Sequence, residues 1–226
     1  MDIHTIILAG GKGTRMLSQK AKVLQALGGR TMLNHVMTAA NKISNKISVV
    51  VGFDKEGVEE EIKKIGINAN TFLQKEQIGT ADAVKTTFKD IDKNEKILIL
   101  YGDVPLIKEE TLKKLCNQES DLSILTTNLE NPTGYGRTVK DKENNVLGII
   151  EEKDADSEQR KIKEIFTGIL VTKGSVLKKY IPEINNNNSA KEFYLTDLIG
   201  IAHKNGFKIN TLSSSNEETA GANNRL

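Results

Sequence analysis

The sequence predicts an α/β protein built on a Rossmann-like, mixed but mainly parallel sheet flanked by helices. Short runs dominated by β-branched and aliphatic residues alternate with stretches whose apolar residues recur at helical spacing. The runs are apolar on both faces, as strands of a sheet covered on two sides must be. The first of them ends abruptly in Gly10, Gly11 and Gly13, a loop at the carboxyl end of a first strand, where ligands of such sheets gather.

Ile3 to Leu8 is read as that first strand, because β-branched and aliphatic residues dominate it. Met32, Leu33, Val36, Met37 and Ala40 mark a helix, Ile47 to Val51 a strand, and Val58, Ile62 and Ile65 a second helix. Asn70 to Leu73 makes a short strand, Thr80 to Phe88 suits a helix, and Lys96 to Leu100 is the next strand. The single cysteine, Cys116, falls in a helix beside Leu112 and Leu115. From about Asn128 the texture changes. Val139 to Val146 reads as a hairpin around a polar turn, Val146 to Ile150 and Phe166 to Val171 as strands, and Glu151 to Lys163 as a solvated loop or short helix. Glu192 to Lys204 carries Tyr194, Leu198, Ile201 and Ala202 on one helical face, and Phe207 to Leu212 is a last strand. The tail from Ser213 is polar and reads as disordered but for Asn223, Asn224 and Arg225. The expectation is one domain over 1–226, with halves of about 1–127 and 128–226.

Composition excludes several classes. At 226 residues, 38% hydrophobic and 27% charged, the chain is an ordinary soluble globular sequence. A formal net charge of +2 points to neither nucleic acid nor a membrane surface as partner. One cysteine allows no internal disulfide and no cysteine metal cage, so a buried, inert thiol is expected. Asp2 and His4 interrupt any leader, and no apolar run reaches the length of a membrane span, so the expected compartment is reducing cytoplasm. The three histidines, His4, His35 and His203, share no ligand spacing.

Chemistry is concentrated in the segment Leu8 to Met16, LAGGKGTRM. Its glycines remove Cβ atoms where the backbone turns and exposes N–H groups, and Lys12, Arg15 and then Lys22 add positive charge beside them. Amides next to cations suit a polyphosphate. No Gly-Lys-Ser/Thr follows at P-loop spacing, and Met16 stands where a dinucleotide fingerprint needs its third glycine. A phosphate loop of another kind is predicted.

Further along, AKVL surrounds Lys22, QKEQIGTADAV begins at Gln74 and YGDVPL at Tyr101, followed by PTGYGR, IIEEKDA, FTGIL, EFYLTDLI and a terminal NNRL. In this order and spacing the set resembles the uridyltransferase domain of bacterial N-acetylglucosamine-1-phosphate uridyltransferases, in the sugar-phosphate nucleotidyltransferase superfamily, over essentially the whole chain. The resemblance implies the nucleotidyltransferase type A fold, with a nucleotide-binding first half and a second half forming a small sugar-facing lobe and a metal-ligand tail. It implies substrate contacts at Leu8, Ala9, Gly10, Gly11, Lys22, Gln74, Gly79, Thr80, Tyr101, Gly102 and Asp103. Gln74 offers both a donor and an acceptor to the edge of a uracil, Gly79 lets that edge approach the backbone, and Thr80 opens a helix facing the pocket. Asp103 follows an aliphatic strand, where a carboxylate off the sheet edge suits a hard cation; it is expected to ligate Mg²⁺, with Asn224 as second ligand by resemblance. Gly136 and Glu151 resemble the family's sugar contacts, and Tyr194 and Thr196 its aromatic and hydroxyl pair near the sugar phosphate. Glu152 is read as a solvated charge.

Two departures stand out. Phe166 occupies the place of an asparagine whose amide contacts the sugar in the family, and Ala21 replaces the proline before the phosphate-binding lysine, which is expected to loosen the loop. No hexapeptide repeats of a left-handed β-helix occur, so no acetyltransferase activity is expected of this sequence. The implied reaction joins N-acetylglucosamine 1-phosphate to UTP by Mg²⁺-assisted in-line attack, with Arg15, Lys22 and Asp103 as catalytic residues. The alternatives are the same transfer to a different sugar 1-phosphate or polar phosphate, and a non-catalytic nucleotide-binding module. A monomer or dimer is expected.

Overall fold

The computed structural model describes residues 2–13 and 20–221. The chain runs β1 (Ile3–Leu8), β2 (Ala26–Leu27), β3 (Arg30–Thr31), α1 (Met32–Asn41), β4 (Lys46–Val51), α2 (Lys55–Ile65), β5 (Asn70–Leu73), α3 (Thr80–Lys85) and β6 (Lys96–Tyr101). It continues through α4 (Glu109–Cys116), β7 (Leu122–Asn128), β8 (Arg137–Lys140), β9 (Val146–Ile150), β10 (Glu164–Lys173), α5 (Gly174–Tyr180), α6 (Asp197–Lys204), β11 (Ile209–Ser213) and α7 (Asn216–Thr219). Seven strands lie in the order β11-β7-β10-β6-β1-β4-β5, and β8 and β9 extend the sheet from β10. β5, β4, β1 and β6 are parallel, as are β7 and β11, while β10 runs antiparallel between β6 and β7. The fold is thus the mainly parallel, helix-covered sheet that the sequence predicts.

The strands are apolar on both faces because both faces are packed. Ile3 and Ile7 of β1, with Val49 and Val51 of β4, point into one core that includes Leu33, Val36 and Met37 of α1 and Leu112 and Leu115 of α4. Ile6 and Leu8 point the other way, against Ala81 and Val84 of α3, Leu177 of α5 and Leu198 of α6. Cys116 is buried in the first core, as expected, and burial pushes its thiol up to about 11. Among the described residues no helix is long and apolar enough to cross a membrane.

Several expectations need correction. β7, a central strand, is absent from the sequence reading because Ser123, Thr126 and Thr127 break its apolar run. The hydroxyls of Ser123 and Thr127 find internal partners: Ser123 pairs with Ser120 at 2.6 Å and Thr127 donates to Ser214 O at 2.9 Å. α5 was also missed, its glycine start and lysines masking Val176 and Leu177. The helix expected from Thr80 to Phe88 closes at Lys85 and continues only as hydrogen-bonded turns. That expected from Glu192 starts at Asp197, because residues 193–195 instead cross over the start of α3: Phe193 N donates to Ile78 O at 2.8 Å and Ala81 N to Phe193 O at 2.9 Å. The tail is not featureless. Ser215 caps α7, whose buried Glu218 accepts from Lys108 N at 2.9 Å and from Ser214 Oγ at 2.9 Å.

Near the amino ends of the strands, His4 is 1% exposed and lies between Ser48 Oγ at 2.7 Å and Glu95 Oε2 at 3.2 Å. Ser48 Oγ in turn donates to Asp90 Oδ2 at 2.8 Å, and Lys46 pairs with Asp90 at 3.0 Å. Burial, and then Lys46, hold the His4 imidazole below its ordinary range against the opposing pull of Glu95 and Asp90. The native state therefore keeps His4 neutral where the unfolded chain protonates near pH 6.5. His4 contributes stability that is full above that value and is lost as pH falls from it toward the lower native pKa. The melting temperature of the wild type is expected to fall more steeply between pH 7.5 and 5.5 than that of His4→Gln, whose side chain does not titrate. Parallel profiles from calorimetry would show that His4 is not the group being protonated.

Candidate active site

The site is built where β1 and β6 leave the sheet together. Leu8 is in register with Tyr101, Gly102 N donates to Leu8 O at 3.0 Å, and Ala9 N donates to Val50 O at 2.9 Å. The ladder thus continues one residue past each strand, and the glycine loop and the Tyr101–Asp103 turn emerge side by side. Gly102 serves this junction, and Gln74 is set on the same rim by its N–H, which donates to Val51 O at 2.8 Å.

Lys22 reaches this junction from the segment after the glycine loop. Gly13 lies at φ +62, and a Cβ there would stand 2.6 Å from that of Lys22, so only glycine lets the loop close over the lysine stem. Lys22 Nζ meets Asp103 Oδ2 at 2.5 Å, with the two side chains 13% and 24% exposed. Ala21 does not loosen this segment. It is fully buried, and its N–H, which a proline would lack, donates to Asp54 Oδ2 at 2.9 Å.

Two cavities meet at this ion pair and share Gly13, Lys22, Tyr101 and Asp103. The first, of about 350 Å³, is lined by Leu8, Ala9, Gly10, Gly11, Gln74, Gly79 and Thr80. Gln74 is 5% exposed, and its Nε2 donates to Gly79 O and to Asp82 Oδ2, both at 2.9 Å. Gly79 has a structural duty of its own: at φ +135, a Cβ would lie 2.3 Å from Phe193 O. Thr80 Oγ1 accepts from Leu195 N at 2.9 Å, locking the same crossing.

The second cavity, of about 460 Å³, brings together Gly136, Glu151, Phe166 and Thr196 with Lys12 and Thr167. Glu151 accepts from Thr196 Oγ1 at 2.9 Å, and burial, opposed by that hydrogen bond and reinforced by Asp197, Asp154 and Glu192, raises its carboxyl above the usual range. Gly136 O accepts from Phe166 N at 2.9 Å, which joins the loop before β8 to β10. Phe166 is 5% exposed; most of its ring packs into the core and the remainder faces the cavity. Tyr101, on the wall between the cavities, is kept protonated by burial.

Most residues singled out from the sequence therefore converge. Tyr194 lines neither cavity; it sits in the crossing segment, its phenol pushed up to about 12 by burial and the nearby Asp154 and Glu151. Arg15 and Asn224 lie outside the described residues. Glu152 is more than a solvated charge, although its side chain stays 26% exposed. It pairs at 2.6 Å with Arg137, which is 1% exposed and also donates to Tyr135 O, and it accepts from Gly134 N at 3.1 Å. This brace, which holds the Gly134–Gly136 edge of the second cavity, was missed by sequence reasoning. Its one signal was an arginine at the start of a strand directly after Gly-Tyr-Gly.

The donor set can be tested against a divalent cation. Among the described residues no group of three or more His, Cys, Asp or Glu forms a cage. A part-exposed carboxylate at the meeting point of two cavities fits an ion of the Mg²⁺ type, which takes one or two carboxylates and completes its shell with phosphate oxygens and water.

Residues 5–159 match the MobA-like NTP transferase domain family. The chain is 43% identical over 228 residues to the bifunctional protein GlmU of Ruthia magnifica subsp. Calyptogena magnifica, a match that takes in all of this chain and 50% of that protein. It thus spans about half the length of this curated relative. Its fold is shared with a Bacillus anthracis protein described as a candidate glucose-1-phosphate thymidylyltransferase and solved with sucrose, at a TM-score of 0.75, 20% identity, and coverage of 94% of this chain and 87% of that one. In keeping with the uridyltransferase-domain resemblance of its motifs, the chain belongs to the MobA-like NTP transferase domain family.

Proposed function

We propose that the chain transfers the uridylyl group of UTP to N-acetylglucosamine 1-phosphate, giving UDP-N-acetylglucosamine and pyrophosphate. The observation that carries this reading is the pair of cavities sharing Lys22 and Asp103, one beside a glycine loop and an amide, the other beside a carboxylate and hydroxyls. The first suits a nucleoside triphosphate, the second a sugar, and their phosphates would meet at the shared wall. A phosphate oxygen of the sugar phosphate attacks the α-phosphorus, a new P–O bond forms, the α–β P–O bond breaks, and pyrophosphate leaves. The nucleophile is already anionic, so no general base is needed, and positioning with charge neutralisation carries the catalysis. Lys22 holds positive charge at the junction, Lys12 adds charge at the rim, and we assign Arg15 to the departing pyrophosphate. Asp103 and Asn224 would hold Mg²⁺, which when bound supplies Lewis-acid stabilisation of phosphoryl charge. Glu151 and Thr196 accept and orient sugar hydroxyls.

A second reading, transfer to another sugar 1-phosphate, is favoured by Phe166, which offers no hydrogen bond to an acetamido group. Pyrophosphate release measured with Mg²⁺ over a matrix of sugar 1-phosphates and the four nucleoside triphosphates separates the two. Turnover of UTP with N-acetylglucosamine 1-phosphate above the other pairs supports the first reading, and no turnover of any pair leaves a nucleotide-binding module.

Asp103→Asn is expected to lower kcat about a thousandfold, since an amide supplies no charge at the junction. Its part-exposed pair with Lys22 adds only about 1 kcal/mol to stability, so the variant should melt close to wild type. Near-normal turnover would remove Asp103 from the chemistry. Phe166→Asn is expected to lower KM for N-acetylglucosamine 1-phosphate by about two- to tenfold, one hydrogen bond's worth, with no such gain for glucose 1-phosphate. Because the ring is largely in the core, the same change should cost about 3 kcal/mol of stability. Equal effects on both sugars would show that position 166 does not face the acetamido group.

A further inference from the structure

We propose that Asp82 is a positioning residue that fixes which end of the Gln74 amide faces the nucleotide cavity, and so selects pyrimidines whose N3 carries a hydrogen over those whose N3 is an acceptor. This rests on the reading of that cavity as a nucleotide site. An amide's oxygen and nitrogen are nearly the same size, and only their neighbours decide which way the group points. Here Nε2 lies 2.9 Å from Gly79 O and 2.9 Å from Asp82 Oδ2. One neighbour is a carbonyl and the other a carboxylate, so both can only accept. Reversing the amide would set its oxygen against two others at a side chain 5% exposed, where little water could relieve the clash.

Both amide hydrogens are therefore spent inside the protein, and Oε1 is left toward the cavity. It stands over Gly10, 3.5 Å from where a Cβ on that residue would lie, and Gly10 and Gln74 both line the cavity. The protein thus presents a bare acceptor. The imide N–H of uracil or thymine can donate to it, whereas the N3 lone pair of cytosine would face a second lone pair. Gly79 O alone would secure one hydrogen and leave the other to find any partner. The carboxylate of Asp82, fixed in the first turn of α3, makes the orientation two-sided.

The test compares wild type, Asp82→Asn and Asp82→Ala, each checked for folding by its melting temperature. Binding of UMP and CMP is read by thermal shift, and kcat/KM is measured for UTP and CTP with Mg²⁺. The wild type should prefer the uracil nucleotides, and both variants should lose about tenfold of that preference. The ratio is the diagnostic quantity, because a merely structural role would weaken uracil and cytosine nucleotides in equal proportion. An unchanged ratio in whichever variants fold, or an equal loss for both bases, overturns the role of Asp82 while leaving the nucleotide site standing. A wild type that binds UMP above CMP but turns over no triphosphate sinks the transferase reading alone. Binding of neither nucleotide sinks both.

Discussion

The pairing of β1 with β6 is the constraint on which the rest of the site depends. Its parallel register runs from Ile3 opposite Lys96 to Leu8 opposite Tyr101, and Gly102 N closes it on Leu8 O at 3.0 Å. Two chain exits consequently leave the sheet at one height, one carrying glycine amides and the other Asp103. A slip of one residue would turn every side chain of a strand to the opposite face. Here each face has its own core, so a slip would exchange Ile7 and Leu100 with Ile6 and Ile99 across the sheet. Burial on two faces thus fixes the height at which Lys22 finds its carboxylate, 81 positions along the chain.

β10, which runs against its neighbours β6 and β7, does for the second cavity what the parallel strands do for the first. It pairs with β7 at Phe166 opposite Thr126 and again at Leu170 opposite Ile124, so three residues of β10 lie opposite the single Leu125 of β7. This irregularity lies at Thr167 and Gly168, both on the cavity wall, and Thr167 Oγ1 donates to Leu125 O at 2.8 Å to hold the bend. Bulges are common beside active sites because they re-aim a strand locally while its two ends stay paired. The buried Arg137–Glu152 pair braces the opposite wall. A guanidinium so far from water is costly unless its donors are used; here the two terminal nitrogens hold Tyr135 O and Glu152 in place, while Nε has no partner among the described residues.

The first half of the fold was legible because β1, β4 and β6 are buried on both faces and therefore rich in aliphatic residues, and its helices carry apolar stripes. β5, an edge strand in which only Phe72 is buried, was read to the residue all the same. Legibility failed where polar groups are satisfied at long range. The hydroxyls of β7 look like turn residues until Ser214 and Ser120 are known to lie beside them. Residues 192–196 keep a helical spacing, but their backbone is committed to Ile78 and Ala81 across the site. At the site itself, Gln74, Asp103 and Glu151 stood out as polar residues at the ends of aliphatic runs. Asp82 and Arg137 did not, since each acts through another residue, and a single chain of letters records no such pairing.

The charged groups that line the second cavity would orient a ligand there. Lys12 and Lys22, the latter paired with Asp103, stand where the cavities adjoin the glycine loop, whereas Glu151 lines the second cavity in the field of Asp197, Asp154 and Glu192. Those carboxylates accept hydrogen bonds from hydroxyls and repel phosphate. A sugar phosphate entering the second cavity would therefore turn its hydroxyl-bearing ring toward Glu151 and its phosphate toward Lys22, the orientation that in-line attack requires. The cost is visible in the protein alone. Burial and like charges push Glu151 toward its protonated form, and only the Thr196 hydroxyl pulls it back. Sugar hydroxyls donating to this carboxylate would favour its charged form, as the Thr196 hydroxyl does.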